Sequence, residues 1–133
     1  MALHIQRLLK DHPDHPFVKL ADGKIENIDM IVFEKAVRAG DKLALELWEE
    51  MSMRKAQAFG IFMNTFNPQR LILGTFGWAI GDLYTEPIKK YLPRFAWKET
   101  LEQCEIVSSE LRRDIGYYAG AAAAMYFLLG KRA

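Results

Sequence analysis

The sequence predicts a helix-rich α/β fold in which two short parallel strands form an incomplete sheet. A long amphipathic pattern covers Lys42–Phe66, and the continuous apolar run Leu71-Ile72-Leu73 follows after Asn67-Pro68-Gln69-Arg70. Such a run is too short for one face of a helix and is typical of a parallel strand covered on both sides. A second, weaker strand is predicted over residues 104–108. Because two strands are too few for a stable sheet, we expect further strands from another chain or from a larger domain.

The composition is that of a globular protein, and residues 1–133 are expected to form a single partial domain. There are 18 Lys and Arg against 17 Asp and Glu, so the net charge of +1 favours neither nucleic acid nor an acidic membrane as partner. The single cysteine, Cys104, excludes an internal disulfide and fits a reducing compartment. Residues 1–9 lack the pattern of a signal peptide, and the apolar run over residues 119–129 is far short of a membrane span. These features predict a cytoplasmic location.

The amino-terminal part is predicted to begin with a short helix over residues 3–9, followed by a polar loop over residues 10–16. Residues 17–20 are interpreted as a brief extended piece. Asp22-Gly23 is interpreted as a turn, because both residue types favour turns.

Capping residues indicate where the next two helices meet. Asn27 or Asp29 is predicted to cap a helix that ends near Ala39. Gly40 lies where helices favour glycine after the last turn, and Asp41 is predicted to cap the long helix that follows. The two helices are therefore expected to be joined by a tight corner.

The long helix over Lys42–Phe66 is predicted to bury one stripe of side chains. Apolar residues recur at the helical spacing, and Lys55 fills the one polar gap. The stripe consists of Ala44, Leu47, Trp48, Met51, Ala58, Phe59, Phe62 and Phe66. We interpret this stripe, together with Met53 and Met63, as core rather than as contacts to a cofactor.

Three helical segments are predicted after the first strand. The first covers residues 80–92 and contains Pro87, and a helical turn covers residues 97–103. The last helix covers Ile115–Leu129 and is closed by Gly130. Its small residues predict a smooth face on which another element can pack closely: Gly116, Ala119, Gly120 and Ala123.

The motifs predict neither a catalytic residue nor a metal site. His4, His12 and His15 lack the spacing of a metal site with a clear mechanism, and we interpret them as solvated. Asp41 is interpreted as a helix cap rather than a catalytic base, and nothing in the sequence activates Ser108 or its neighbour as a nucleophile. The sequence contains no Walker loop, no Gly-x-Ser-x-Gly elbow and no His-Glu-x-x-His motif.

Gly74, Thr75, Phe76 and Gly77, which we call the 74–77 segment, directly follow the first strand and are interpreted as a loop. In open α/β sheets, ligands lie beyond the carboxyl ends of the strands. Glycine there permits positive φ and lets a phosphate, a ribose or a flat ring approach the backbone. The alternative is that Gly74 merely turns the chain out of the strand, and the spacing alone leaves both interpretations open.

Three stretches carry a family resemblance, in order and at family-like separations. Residues 33–44 place Ala-Gly-Asp and a following alanine after a helical pattern. Residues 66–74 read Phe-Asn-Pro-Gln-Arg-Leu-Ile-Leu-Gly, similar to Asp-Pro-Glu-x-Ile-Val-Leu-Gly-Gly, and residues 106–122 join a strand, Ser-x-Leu and a glycine- and alanine-rich helix. These stretches resemble the carboxyl-terminal part of the ROK family of bacterial sugar kinases and sugar-responsive repressors. The resemblance implies the C-terminal subdomain of the actin-like ATPase (ribonuclease H-like) sugar-kinase fold.

The resemblance also implies a role for the 74–77 segment. In such kinases Gly74, Thr75, Phe76 and Gly77 would form the adenosine-side loop, whose backbone contacts the nucleotide without taking part in chemistry. Thr75 departs from the family pattern, which has a second glycine at that position. ATP with Mg²⁺ and a small sugar are implied for a complete protein, and neither is expected to bind tightly to this chain alone.

Several family motifs do not occur in the sequence: the Asp-x-Gly-Gly-Thr phosphate loop, the general-base Asp with its sugar-binding motif, and the cysteine-rich zinc motif. The leading hypothesis is therefore the nucleotide-side portion of a glucokinase-like kinase, inactive alone and paired as a homodimer or with a missing amino-terminal half. One alternative is the same portion of a ROK-type repressor, for which nucleic acid would be a partner. Another is a stand-alone oligomerisation module. No membrane partner is expected.

Overall fold

A computed structural model describes residues 1–129, and of Thr75, Phe76 and Arg113 it describes the backbone alone. Gly130, predicted to close the last helix, lies outside the described residues. The chain divides into two compact units, Met1–Arg54 and Lys55–Ala133. The prediction of a single partial domain stays a prediction.

The first unit is entirely helical over its regular elements. It contains α1 (Ala2–Leu8), α2 (Pro16–Lys19), a 3₁₀ turn (Ile25–Asn27), α3 (Met30–Arg38) and the first part of α4 (Lys42–Phe66). The bounds of α4 agree with those predicted from its hydrophobic period.

The predicted caps of α3 and α4 are confirmed. The Asp29 carboxylate accepts hydrogen bonds from the backbone N–H groups of Ile31 and Val32, at 2.9 and 2.8 Å. Asp41 accepts one from the N–H of Ala44 at 2.9 Å. Gly40 adopts a φ of +76°, a left-handed conformation that an L side chain would strain. These local hydrogen bonds satisfy backbone donors that a helix start otherwise leaves free.

The extended piece predicted over residues 17–20 is wrong, because these residues lie in and just after the short helix α2. His15 caps this helix, with its Nδ1 accepting a hydrogen bond from the N–H of Phe17 at 3.2 Å. Pro16 occupies the first helical position, where its missing N–H is not needed. Histidine is not among the residues that usually cap helices, so the capping pattern did not indicate this helix.

The core of the first unit is built on aromatic rings. Phe17 and Phe33 are fully buried, and their ring centroids lie 6.0 Å apart in a stacked arrangement. Phe33 in turn meets Trp48 of α4 edge-on at 5.2 Å. Offset and edge-on contacts are the arrangements that aromatic quadrupoles favour. Gln6 of α1 donates hydrogen bonds to the carbonyl groups of Glu26 and Ile28, which ties α1 to the turn before α3.

The second unit begins within α4 and combines helices with two strands. After α4 come β1 (Arg70–Leu73), α5 (Thr75–Ile80), α6 (Asp82–Tyr91), a 3₁₀ turn (Leu92–Arg94), α7 (Lys98–Gln103), β2 (Glu105–Ser108), a second 3₁₀ turn (Arg112–Asp114) and α8 (Ile115–Leu129). Helix α6 continues through Pro87.

In this unit the buried face of α4 differs from the predicted stripe. Ala58 is exposed, and Phe62 and Phe66 are 50% and 70% exposed. The buried residues are instead Ala56, Gly60 and Met63. Gly60 packs so closely on the residue at position 95 that a Cβ would lie 2.7 Å from both its Cβ and its carbonyl oxygen. A hydrophobicity pattern cannot detect a contact that depends on a missing side chain.

Asn64 joins the end of α4 to the start of α7. Its Nδ2 donates to the carbonyl of Phe95 at 3.0 Å. Its Oδ1 accepts from the N–H of Trp97 at 2.9 Å and from the hydroxyl of Thr100 at 3.1 Å. One side chain therefore satisfies three polar groups on the chain segment that leads into β2.

Strands β1 and β2 pair in parallel, with Leu71 opposite Ile106 and Leu73 opposite Ser108. The prediction that β1 is covered on both faces is wrong for the described chain. Leu73 is 8% exposed, whereas Ile72, which points to the other face, is 66% exposed. The apolar run Leu71-Ile72-Leu73 indicates that each side chain favours burial. It does not indicate which described element would cover each face of the strand.

Helix α8 has 15 residues, none of them buried. Tyr117 and Tyr126 are 81% and 82% exposed, and Leu128 is 70% exposed. A helix that is apolar on all sides is normally buried in a protein core, so α8 presents an unusual surface. Among residues 1–129, no helix is long and apolar enough to cross a membrane.

Candidate functional site

The 74–77 segment lies at the carboxyl end of β1, as predicted, but it is not a loop. Gly74 is the residue before α5, and Thr75 already has helical conformation. Helix α5 ends at Ile80, and the chain turns at Gly81, which has a φ of +64°. The single helix predicted over residues 80–92 is therefore wrong at its start, because Gly81 separates α5 from α6.

Neither glycine of the segment adopts the positive φ that glycine would permit. Gly74 has a φ of −73°, so no left-handed conformation requires glycine at this position. A Cβ at Gly77 would overlap the Cβ of Leu73, so α5 lies directly against the end of β1. The group that approaches Gly77 closely is therefore the side chain of Leu73. At Gly74 the nearest group is the Cδ1 of Ile115, 3.7 Å from the position of a Cβ.

The end of β2 holds the segment from the other strand. The hydroxyl of Ser108 donates a hydrogen bond to the carbonyl oxygen of Gly77 at 3.1 Å. The N–H of Ser109 donates to the carbonyl of Leu73 at 2.8 Å, which extends the pairing of the strands by one residue. The Ser109 hydroxyl accepts from the N–H of Leu111 at 3.3 Å. The sequence predicted that neither serine is an activated nucleophile, and its pattern did not indicate these hydrogen bonds between distant residues.

A groove of about 610 Å³ opens beside these residues, on the exposed face of the sheet. Its lining combines four apolar residues, Ile72, Val107, Leu111 and Ile115, with four polar or charged ones, Arg70, Ser108, Ser109 and Glu110. Ile115 therefore contributes both to this groove and to the surroundings of Gly74. An apolar groove with a few polar groups is the usual character of a small-molecule site.

The candidate metal ligands considered from the sequence do not form a metal site in the described chain. His15 is used as the cap of α2, and its Nδ1 lies 3.8 Å from a carboxylate oxygen of Asp41. Across residues 1–129, no group of three or more His, Cys, Asp or Glu side chains could hold a metal ion. Cys104 is buried and free, and burial raises the pKa of its thiol above the usual value. That shift disfavours the reactive thiolate.

Lys55, an ionisable group whose pKa is strongly shifted, lies outside the 74–77 segment. Lys55 of α4 is partly buried, and its desolvation lowers the pKa of the ammonium group to about 8. The Lys55 Nζ donates to the hydroxyl of Tyr84 at 2.8 Å and lies 4.0 Å from the centroid of that ring. Burial also raises the pKa of Tyr84. The pair joins α4 to α6.

Comparison of the fold with solved structures indicates the class of protein. The structure resembles the crystal structure of a ROK family glucokinase from Streptomyces griseus in complex with glucose and AMPPNP, with a TM-score of 0.74 and 20% sequence identity. The match covers 92% of this chain and 40% of the glucokinase chain, so the chain spans well under half of that protein's length. The helix-rich fold with its small parallel sheet is therefore part of the actin-like ATPase fold of sugar kinases.

The family follows from the sequence comparison. The ROK family model matches residues 13–126, which is most of the chain, and the chain belongs to the ROK family. No match was found among curated protein sequences. The resemblance inferred from the three sequence stretches is thus confirmed at the level of family and fold.

Proposed function

We propose that this chain forms the nucleotide-side portion of an ATP-dependent, glucokinase-like sugar kinase, in which the 74–77 segment contacts the adenosine part of ATP. One observation carries the proposal. The segment lies at the carboxyl end of β1, beside the end of the neighbouring strand, in a chain whose fold matches part of a glucokinase. Ligands of α/β proteins bind beyond this end of the strands. The backbone of Gly74, Thr75, Phe76 and Gly77 provides the contacts.

The described residues fit an adenosine group better than they fit a triphosphate with its metal. Gly74 has no side chain, and the apolar Ile115 lies near it and lines the adjoining groove. A flat base packs favourably against apolar groups when its edges meet backbone polar groups. No described group of acidic residues could hold Mg²⁺, so we assign no metal ligand to this chain.

Phosphoryl transfer requires more than this chain provides. The reaction depends on holding the phosphates, the metal ion and the acceptor hydroxyl together. The phosphate-loop motif and the catalytic Asp implied by the family resemblance do not occur in the sequence. We therefore expect the chain to have no kinase activity by itself. In a complete protein it would position ATP, while the other part would bind the small sugar and supply the general base.

The exposed apolar surface is evidence for a partner polypeptide that covers it. Ile72 is 66% exposed in a parallel strand, although such strands are normally buried on both faces. Helix α8 adds a second apolar surface with no buried residue. We propose that the amino-terminal half of a ROK kinase covers these surfaces. A second copy of the chain is the alternative, and light scattering of the purified chain distinguishes a homodimer from a monomer. The predicted cytoplasmic location is consistent with both.

A fusion experiment tests the proposal. The part of the Streptomyces griseus glucokinase that lies outside the match is joined to this chain, and ATP-dependent phosphorylation of glucose is measured. We expect turnover by the fusion and none by the chain or by the glucokinase part alone. A folded fusion that binds ATP without phosphorylating glucose would contradict the proposal. A folded fusion that binds glucose but not ATP would favour the repressor alternative.

The extent of exposed apolar surface on α8 also favours a second candidate function, an oligomerisation module. This alternative predicts a stable oligomer whose mass does not change with ATP or glucose. The kinase proposal predicts that ATP alters the backbone amide signals of Gly74 and Gly77. Light scattering and an ATP titration on the same sample therefore separate the two.

A further inference from the structure

We propose that Ser108 is a positioning residue, which holds the 74–77 segment in the geometry that receives the nucleotide. The inference rests on the proposed function and assigns a role to a side chain outside the segment itself. Ser108 is the last residue of β2 and lies opposite Leu73 in the strand register. It is thus the side chain of the second strand that is placed nearest to the point where α5 begins.

The hydrogen bond from Ser108 ends on an atom that also closes helix α5. The Gly77 carbonyl oxygen accepts from the Ser108 hydroxyl at 3.1 Å and from the N–H of Gly81 at 3.1 Å. The first of these bonds links α5 to β2, and the second fixes the last turn of α5. Loss of the hydroxyl would therefore release the helix from β2 while leaving its internal hydrogen bonds in place.

Two strands together fix the position of α5. On β1, the absence of a Cβ at Gly77 allows the helix to lie directly on Leu73. On β2, Ser108 supplies a polar contact to the same residue. The 74–77 segment would contact the nucleotide through its backbone N–H and C=O groups. If the segment is displaced, a change of side-chain rotamer cannot restore such contacts. Small displacements in such preorganised segments reduce ligand affinity.

The adjacent serine provides a matched control. The Ser109 hydroxyl accepts from the N–H of Leu111, within its own turn, rather than bonding to α5. Its backbone N–H bonds to the carbonyl of Leu73, and that bond survives removal of the side chain. Ser108→Ala and Ser109→Ala therefore remove the same group from neighbouring residues, and only the first should disturb the 74–77 segment.

Hydrogen exchange and ATP titration of the full chain test the inference. In Ser108→Ala we expect faster amide exchange over residues 77–81 and ATP affinity about three- to tenfold weaker, as for loss of one hydrogen bond. Ser108→Thr keeps the hydroxyl and should restore both values, while Ser109→Ala should leave amide exchange over residues 77–81 unchanged. Affinity is read from the backbone amide shifts of Gly74 and Gly77 in ¹⁵N NMR spectra.

The outcomes separate this inference from the proposed function. If the unmodified chain shows no ATP-dependent shift at Gly74 or Gly77, the nucleotide role of the segment is wrong, and the inference falls with it. If the unmodified chain binds ATP and Ser108→Ala binds it equally well, the inference alone is overturned. Faster exchange without a change in affinity would also overturn it, since Ser108 would then have a purely structural role.

Discussion

Replacing Gly60 with alanine should destabilise the second unit, although alanine is the better helix former. A Cβ at this position would lie 2.7 Å from the Cβ and carbonyl oxygen of Phe95 and 2.8 Å from its carbonyl carbon. Carbon atoms in contact normally lie about 3.5–4.0 Å apart, so α4 and the backbone at Phe95 must separate by about 1 Å. Two of the three atoms belong to the backbone and cannot rotate away.

The expected magnitude follows from two opposing terms. Overpacking a close contact costs about 1–3 kcal/mol, and we expect the upper part of that range because backbone atoms are involved. Exchanging glycine for alanine inside a helix contributes about 1 kcal/mol in the opposite direction. The net loss for Gly60→Ala is therefore about 1–2 kcal/mol.

The matched control is Gly120→Ala in α8, where a Cβ would meet nothing within 4 Å. This variant should be as stable as the unmodified chain or up to about 1 kcal/mol more stable. Urea unfolding followed by circular dichroism at a helical wavelength measures both variants, and the unfolding midpoint of Gly60→Ala should be the lower. Equal or higher stability of Gly60→Ala would refute the close contact between α4 and Phe95.

Two further predictions concern partly buried polar contacts of the same unit. Asn64→Ala should lower the free energy of unfolding by about 2–3 kcal/mol, because it removes three hydrogen bonds and leaves the N–H of Trp97 and the carbonyl of Phe95 without that partner. A loss below about 0.5 kcal/mol in urea unfolding would contradict this prediction. The control is Gln103→Ala, which removes an exposed contact. Lys55→Gln should abolish a pH dependence of stability. The pKa of Lys55 is about 8 in the folded chain, against the ordinary value of 10.5 that we expect in the unfolded chain. Between about pH 8 and 10 the unfolded chain therefore binds more protons than the folded chain, and the free energy of unfolding rises with pH. The variant should lack that rise, and identical pH profiles would show that Lys55 is not desolvated.

Local chemistry explains which parts of the fold could be predicted from the sequence. The bounds of α4 follow from its hydrophobic period and from the Asp41 cap. The strand pair follows from short apolar runs. Asp29 and Gly40 were predictable because capping depends on residues close in sequence. Each of these features is decided within a few residues of the chain.

Features that depend on distant contacts were not predictable. Gly60 is required by its close contact with Phe95, which lies far along the chain and which the periodicity does not reveal. The start of α5 at Thr75 replaced an expected loop, because the helix packs directly on the strand end. The position of the candidate segment could be predicted from the strand that precedes it. The Ser108 hydrogen bond could not, since it joins residues 31 positions apart.

The proposed function requires contact between the 74–77 segment and the adenosine part of ATP, and photolabelling measures that contact directly. The chain is irradiated with 8-azido-ATP and digested with trypsin, and the labelled peptides are identified by mass spectrometry. We predict that the label falls between Arg70 and Lys89, in the peptide that contains Gly74 and Gly77, and that excess ATP prevents it. Labelling confined to Met1–Arg54, or labelling that ATP does not reduce, would contradict the account.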